Sequence, residues 1–142
     1  MRRFLTSLSF LFLAASASAD QGTSIRGPVR TYFSSCTAQV PLTVNVTASG
    51  DTVAISSPAA SVRLIIKKIS VHNAGAANVT VSLKDGGGGT TYWKGELASE
   101  GGAAGISFGN IGWKLSFNTN LVVSLSAAGD VDVNVMDYCK DP

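Results

Sequence analysis

At 142 residues the chain has room for one compact domain; only 14% of it is charged, and its formal net charge is +2. That excludes the dense positive field that phosphate neutralisation requires, so nucleic acid is not an expected partner. Fifteen glycines among abundant Ser, Thr, Val and Ala favour short strands joined by tight turns, because branched side chains suit a pleated surface and glycine supplies turn geometry.

Residues 1–19 read as a signal peptide: Arg2 and Arg3 form a basic start, Phe4 to Ala15 an apolar run, and Ala17-Ser18-Ala19 a small-residue cleavage site. The run is shorter than the roughly 20 apolar residues of a spanning helix, so no stable membrane span is expected once it is removed. The other reading is an uncleaved N-terminal helix that packs on the domain or a neighbour. Cleavage removes two arginines and no acid, leaving basic and acidic residues balanced. Residues 20–41 show no sustained periodicity and read as an arm leading into a β-sandwich over 42–142.

Leu42, Val44 and Val46 alternate with Thr43, Asn45 and Thr47, and Ser49-Gly50-Asp51 then turns toward Val53 and Ile55. The pattern predicts a hairpin. In the run 62–71, Val62, Leu64 and Ile66 share one parity while Ile69 and Val71 have the other. A bulge or bend at Lys67-Lys68 restores both halves to one core. Asn73 to Ala77 is a turn into Val79, Val81 and Leu83, and the two segments form the strongest hairpin expectation in the chain. Gly86 to Gly89 turns into 90–97, where Trp93 and Leu97 lie on one side, Lys94 and Glu96 on the other. A short apolar stretch over 106–108, the alternation of Trp113, Leu115 and Phe117, and a final pair at 121–125 and 131–136 complete the pattern. About eight to nine strands at intervals of about 8 to 12 residues point to an all-β, antiparallel sandwich of jelly-roll type.

Cys36 and Cys139 are the only cysteines. In an oxidising compartment they form one disulfide; in a reducing one they stay as thiols. Two cysteines and one distant histidine make no structural zinc site, which wants four soft ligands. The lone His72 reads as a strand-end residue, and the acids Glu96, Glu100, Asp130, Asp132 and Asp137 as solvated turn and strand charges. The run Gly86 to Gly89 lacks the Gly-Lys-Ser/Thr ending of a phosphate-binding loop. No catalytic set, metal or cofactor is therefore expected. Trp93 and Trp113 alternate with Lys94 and Lys114 and read as core anchors; Tyr92, with Lys94 and Glu96, is the expected binding surface.

The span from Val62 to Tyr138 carries the segments Ile69-Ser70-Val71-His72-Asn73, Val79 to Gly86, Trp93-Lys94-Gly95, Leu121 to Ser126 and Val131 to Val135. In that order they resemble the small jelly-roll modules of tailed-phage virions, found in head decoration proteins, head fibres and tail appendages. The resemblance implies a non-enzymatic structural protein at the virion surface that assembles with itself as a homo-oligomer, or with capsid or tail subunits. The signal-like N-terminus supports an alternative: an exported, periplasmic or extracellular bacterial β-sandwich that binds a surface glycan or protein through Tyr92 and the loops around it.

Overall fold

The computed structural model describes residues 36–142. The signal-like segment 1–19 and the arm up to residue 35 lie outside the described residues. Ten strands follow one another: β1 (Thr37–Ala38), β2 (Leu42–Val46), β3 (Gly50–Ile55), β4 (Arg63–Asn73), β5 (Val79–Asp85), β6 (Thr91–Leu97), β7 (Gly102–Ser107), β8 (Trp113–Lys114), β9 (Leu121–Leu125) and β10 (Val131–Asp141). No helix occurs among the described residues.

Two antiparallel sheets form the sandwich. The larger runs β2-β10-β4-β7, with the two-residue strands β1 and β8 extending its edges beside β10 and β4. The smaller runs β3-β9-β5-β6. Without β1 and β8 the remaining eight strands are divided four and four, and successive strands switch sheets in the jelly-roll manner.

That switching corrects three expectations. The segments read as hairpins, β2 with β3 and β4 with β5, and the final pair, β9 with β10, each place one strand in either sheet. Among the described residues only β5 and β6 make a hairpin, across Gly86 to Thr90. Alternation states which side of a strand is apolar. It does not state whether the next strand lies beside it or across the core, since both choices bury that side.

The parity slip of β4 is real and has a counterpart. Between β4 and β10 the register passes from Ile69↔Val135 to Lys68↔Asp137 and then to Ile66↔Tyr138, skipping Met136 on one strand and Lys67 on the other. Paired bulges thus return Ile66 and Tyr138 to the face that also holds Ile69 and Val135. Both flanking edges break at the same level: β1 gives way to β2, and β7 to β8.

Inward residues of both sheets fill one core, with Leu64, Ile66, Ile69, Val71, Val81, Leu83, Leu121, Val123, Val131, Val133 and Val135 fully enclosed. A second, smaller apolar site lies on the opposite side of the larger sheet. There Cys139 stands in register between Ala38 and Ile65, and its disulfide to Cys36 joins β1 to β10. Gly112 closes over Ile65 with φ +74°; a Cβ at this position would come within 2.6 Å of Ile65 Cγ2, so no larger residue fits. Beyond it Arg63 Nε donates to Asp141 Oδ2 at 2.9 Å while its guanidinium lies 5.0 Å from the centre of the Phe117 ring.

Candidate interaction surfaces

β6 is an edge strand of the smaller sheet, and its register against β5 passes from Leu83↔Trp93 to Lys84↔Thr91. Tyr92 is therefore a bulge residue, and a bulge re-aims the side chain it carries. In a regular strand Tyr92 would share the outer face with Lys94 and Glu96. Instead its ring stacks on Trp113 of the other sheet, 4.7 Å between centroids and 16° between planes. Phe108 meets Tyr92 edge-on at 5.7 Å and Trp113 at 5.6 Å. Tyr92 keeps 57% of its surface exposed, whereas Trp113 beneath it is buried. Lys94 and Glu96 remain on the outer face, exposed, opposite Ser82 and Thr80. Trp93 is half-buried against the core, and its indole lies over Gly95, where a Cβ would come within 2.6 Å of the ring.

This arrangement makes Tyr92 the cover of Trp113. In a Trp93→Phe background, which leaves Trp113 as the single indole, Tyr92→Ala is expected to shift the fluorescence emission to the red and cost about 2 kcal/mol, from lost aromatic contact and burial. Unchanged emission would mean that Phe108 alone shields the indole.

The outer face of the smaller sheet carries an ion pair between Lys84 Nζ and Asp51 Oδ1 at 2.7 Å, and Gly88 N donates to Asp51 Oδ2 at 3.1 Å. The hydrogen bond from Lys84, with the Ser124 hydroxyl and the Gly88 amide, lowers the Asp51 carboxyl from 3.8 to about 2. A carboxyl lowered by folding stabilises the native state above its unfolded value and loses that contribution as the pH falls through the folded one. Stability should therefore decline between about pH 4 and pH 2, and Asp51→Asn should flatten that segment of the curve in acid titrations followed by thermal melting. An identical decline in Asp51→Asn would assign it to other carboxylates.

His72 lies half-buried on the outer face of the larger sheet, in the row Asn45–Asp132–His72–Ala103. In that row Asn45 Nδ2 donates to Asp130 and Asp132 at 2.7 and 3.0 Å. Where the strands bulge, a shallow depression of about 400 Å³ is lined by Lys67, Lys68, Ser107, Gly109, Asn110 and Asp137.

The sheet edges differ in charge. In the smaller sheet β3 carries Asp51 and β6 carries Lys94 and Glu96. In the larger sheet β2 (Leu-Thr-Val-Asn-Val) and β7 (Gly-Ala-Ala-Gly-Ile-Ser) carry no charge, and neither pairs with a further strand among the described residues. Edge charge is one usual protection against pairing with another chain, and β2 and β7 have none within the strands; Pro41 stands just before β2, and Lys114 lies on β8, next along the edge of β7.

Two features escaped the sequence pattern. Phe108 joins the aromatic group through the loop after β7, and nothing in its spacing ties it to Tyr92. Asn73, read as a turn residue, is fully buried and holds three backbone groups. Its position two residues before Gly75 is the available signal, since asparagine caps turns of that kind with its own side chain.

No family model and no curated protein matches the chain. Among solved structures it is similar to a chain of the disulfide-linked pili of Bacillus endospore appendages, at 14% identity over 75% of this chain and 88% of that one, with a TM-score of 0.44. It is also similar to a chain in the cryo-EM structure of the VLP of extra small virus from the giant freshwater prawn Macrobrachium rosenbergii. That match has 16% identity over 68% of this chain and 79% of that one, with a TM-score of 0.34.

Proposed function

We propose that the chain is a non-enzymatic structural module that works by protein–protein assembly on a particle or cell surface, a phage virion decoration or appendage being the leading form. The observation that carries this reading is the pair of edge strands β2 and β7, which bear no charge and pair with no further strand among the described residues, whereas the edges of the smaller sheet carry Asp51, Lys94 and Glu96. A strand edge without charge offers its free backbone groups for pairing with another chain. The disulfide between Cys36 and Cys139 supports assembly in, or exposure to, an oxidising environment.

Purification of native particles through a density gradient, followed by mass spectrometry, tests the reading. Co-migration of this chain with capsid or tail proteins supports it; recovery only as free protein in the exported fraction overturns the virion form. The second reading, an exported module that binds a surface glycan, draws on Tyr92, whose ring rests on Trp113 yet stays largely exposed. Aromatic faces of that kind stack on sugars. Glycan-array binding abolished by Tyr92→Ala would favour it, and no binding to any glycan would remove it.

A further inference from the structure

Every neighbouring pair in β2-β10-β4-β7 is antiparallel, so the even number of strands leaves the two edges, β2 and β7, running in opposite directions. Two copies of the chain placed side by side in the same orientation thus bring β7 of one against β2 of the next as an antiparallel pair. The side chains agree with that placement. Across the sheet Thr43, Asn134, Ser70 and Gly105 form one outward row, and Val44, Val133, Val71 and Ala104 the adjacent inward row. Continuing the rows sets Gly105 opposite Thr43 of the next copy on the outer side, and Ala104 opposite Val44 on the side of the core. Both Ala104 and Val44 are half-buried and pack against the core cluster. Alanine and glycine at 103–105 leave room for the neighbouring strand to approach.

From this geometry we infer that the partner of the uncharged edge strands is a second copy of this chain, joined β7 to β2 so that the larger sheet continues from copy to copy. The inference rests on the assembly reading above and names its contact. The two surfaces are different, so each added copy leaves a free β2 at one end and a free β7 at the other, and the contact extends as an open row instead of closing at a dimer.

Thr43→Cys combined with Gly105→Cys tests the pairing directly. Gly105 has no neighbouring atom within 4 Å of a built Cβ, so it accepts a side chain. Under mild oxidation, with the Cys36–Cys139 bridge formed beforehand, the double variant should give a covalent ladder of three and more copies on a non-reducing gel. Neither single variant should do so. Dimers from Thr43→Cys alone, or no ladder from the double variant, overturn the contact.

As a second measurement, Gly105→Lys should abolish the concentration-dependent fast-sedimenting species of the full chain while leaving its melting temperature unchanged. If assembly persists in Gly105→Lys and no ladder forms, this contact is wrong while the assembly reading stands. A chain that neither self-associates nor travels with particles overturns both.

Discussion

Replacing Cys36 and Cys139 together by serine is expected to lower the stability by about 4 to 5 kcal/mol, the largest effect of any change outside the central core. The bridge spans a sequence separation of 103 residues, so in the chain-entropy account its loss frees almost the whole domain in the unfolded state. The folded state also has little else to hold β1, whose ladder with β10 is two residue pairs, Thr37↔Lys140 and Ala38↔Cys139. Cys139 is buried beside Ile65, so the serine hydroxyl adds an unpaired polar group. At about 4 to 8 °C per kcal/mol for a domain near this size, the melting temperature should drop by about 20 °C or more. Thermal melts of the wild type with and without reductant, beside the double serine variant, check this. A shift of only a few degrees would show that β1 contributes nothing to the stability of the sandwich.

Asn73→Ala is expected to cost about 3 kcal/mol, because a fully buried side chain is lost together with its three part-buried hydrogen bonds to backbone groups. Its Nδ2 donates to Ala77 O at 2.8 Å and to Ala98 O at 3.0 Å, and its Oδ1 accepts from Gly75 N at 3.0 Å. The location magnifies the effect. At this end of the sandwich the corners are tied in sequence: Gly129 N donates to Thr47 O, Ala74 N to Asp130 O, Glu100 N to Gly75 O and Gly101 N to Asn73 O. Asn73 stands at the middle of that chain of bonds. Asn73→Asp is the informative companion, since it keeps the shape and the acceptor but aims a carboxylate oxygen at two carbonyls. It should be at least as damaging as alanine in urea unfolding; an Asp variant as stable as the wild type would refute the donor role.

The parts of this fold that were legible in the sequence are those carried by period two. Val131, Val133 and Val135, Val79, Val81 and Leu83, and Leu121, Val123 and Leu125 face inward as their alternation requires. The parity break in β4 even located a bulge, because an apolar set can return to the same core only if one residue is stepped over. Tyr92 was misplaced relative to Lys94 and Glu96 for the converse reason: its bulge lies between Trp93 and Thr91, and only Thr91, Thr90 and four glycines precede it, so no apolar alternation runs up to the slip to be interrupted. The aromatic contact with Trp113 then joins residues of different sheets, a proximity that sequence distance does not encode.

The sequence by itself determined that strands of this length with one apolar face must stack into an antiparallel sandwich, and most of the residues that enter its core; Val53 and Phe117, which share apolar alternations with Ile55 and with Trp113 and Leu115, are instead exposed, Val53 beside a register shift in β3. It also determined that two cysteines were available for one bridge. Tertiary structure decided which strands are neighbours, and with them the paired bulges, the stacking of Tyr92 on Trp113 and the two uncharged edges of one sheet. The physical reason is that burial is satisfied equally by a hairpin and by an arch across the core. The choice between them is made by the corners, where directional hydrogen bonds such as those of Asn73 bring together residues far apart in the chain.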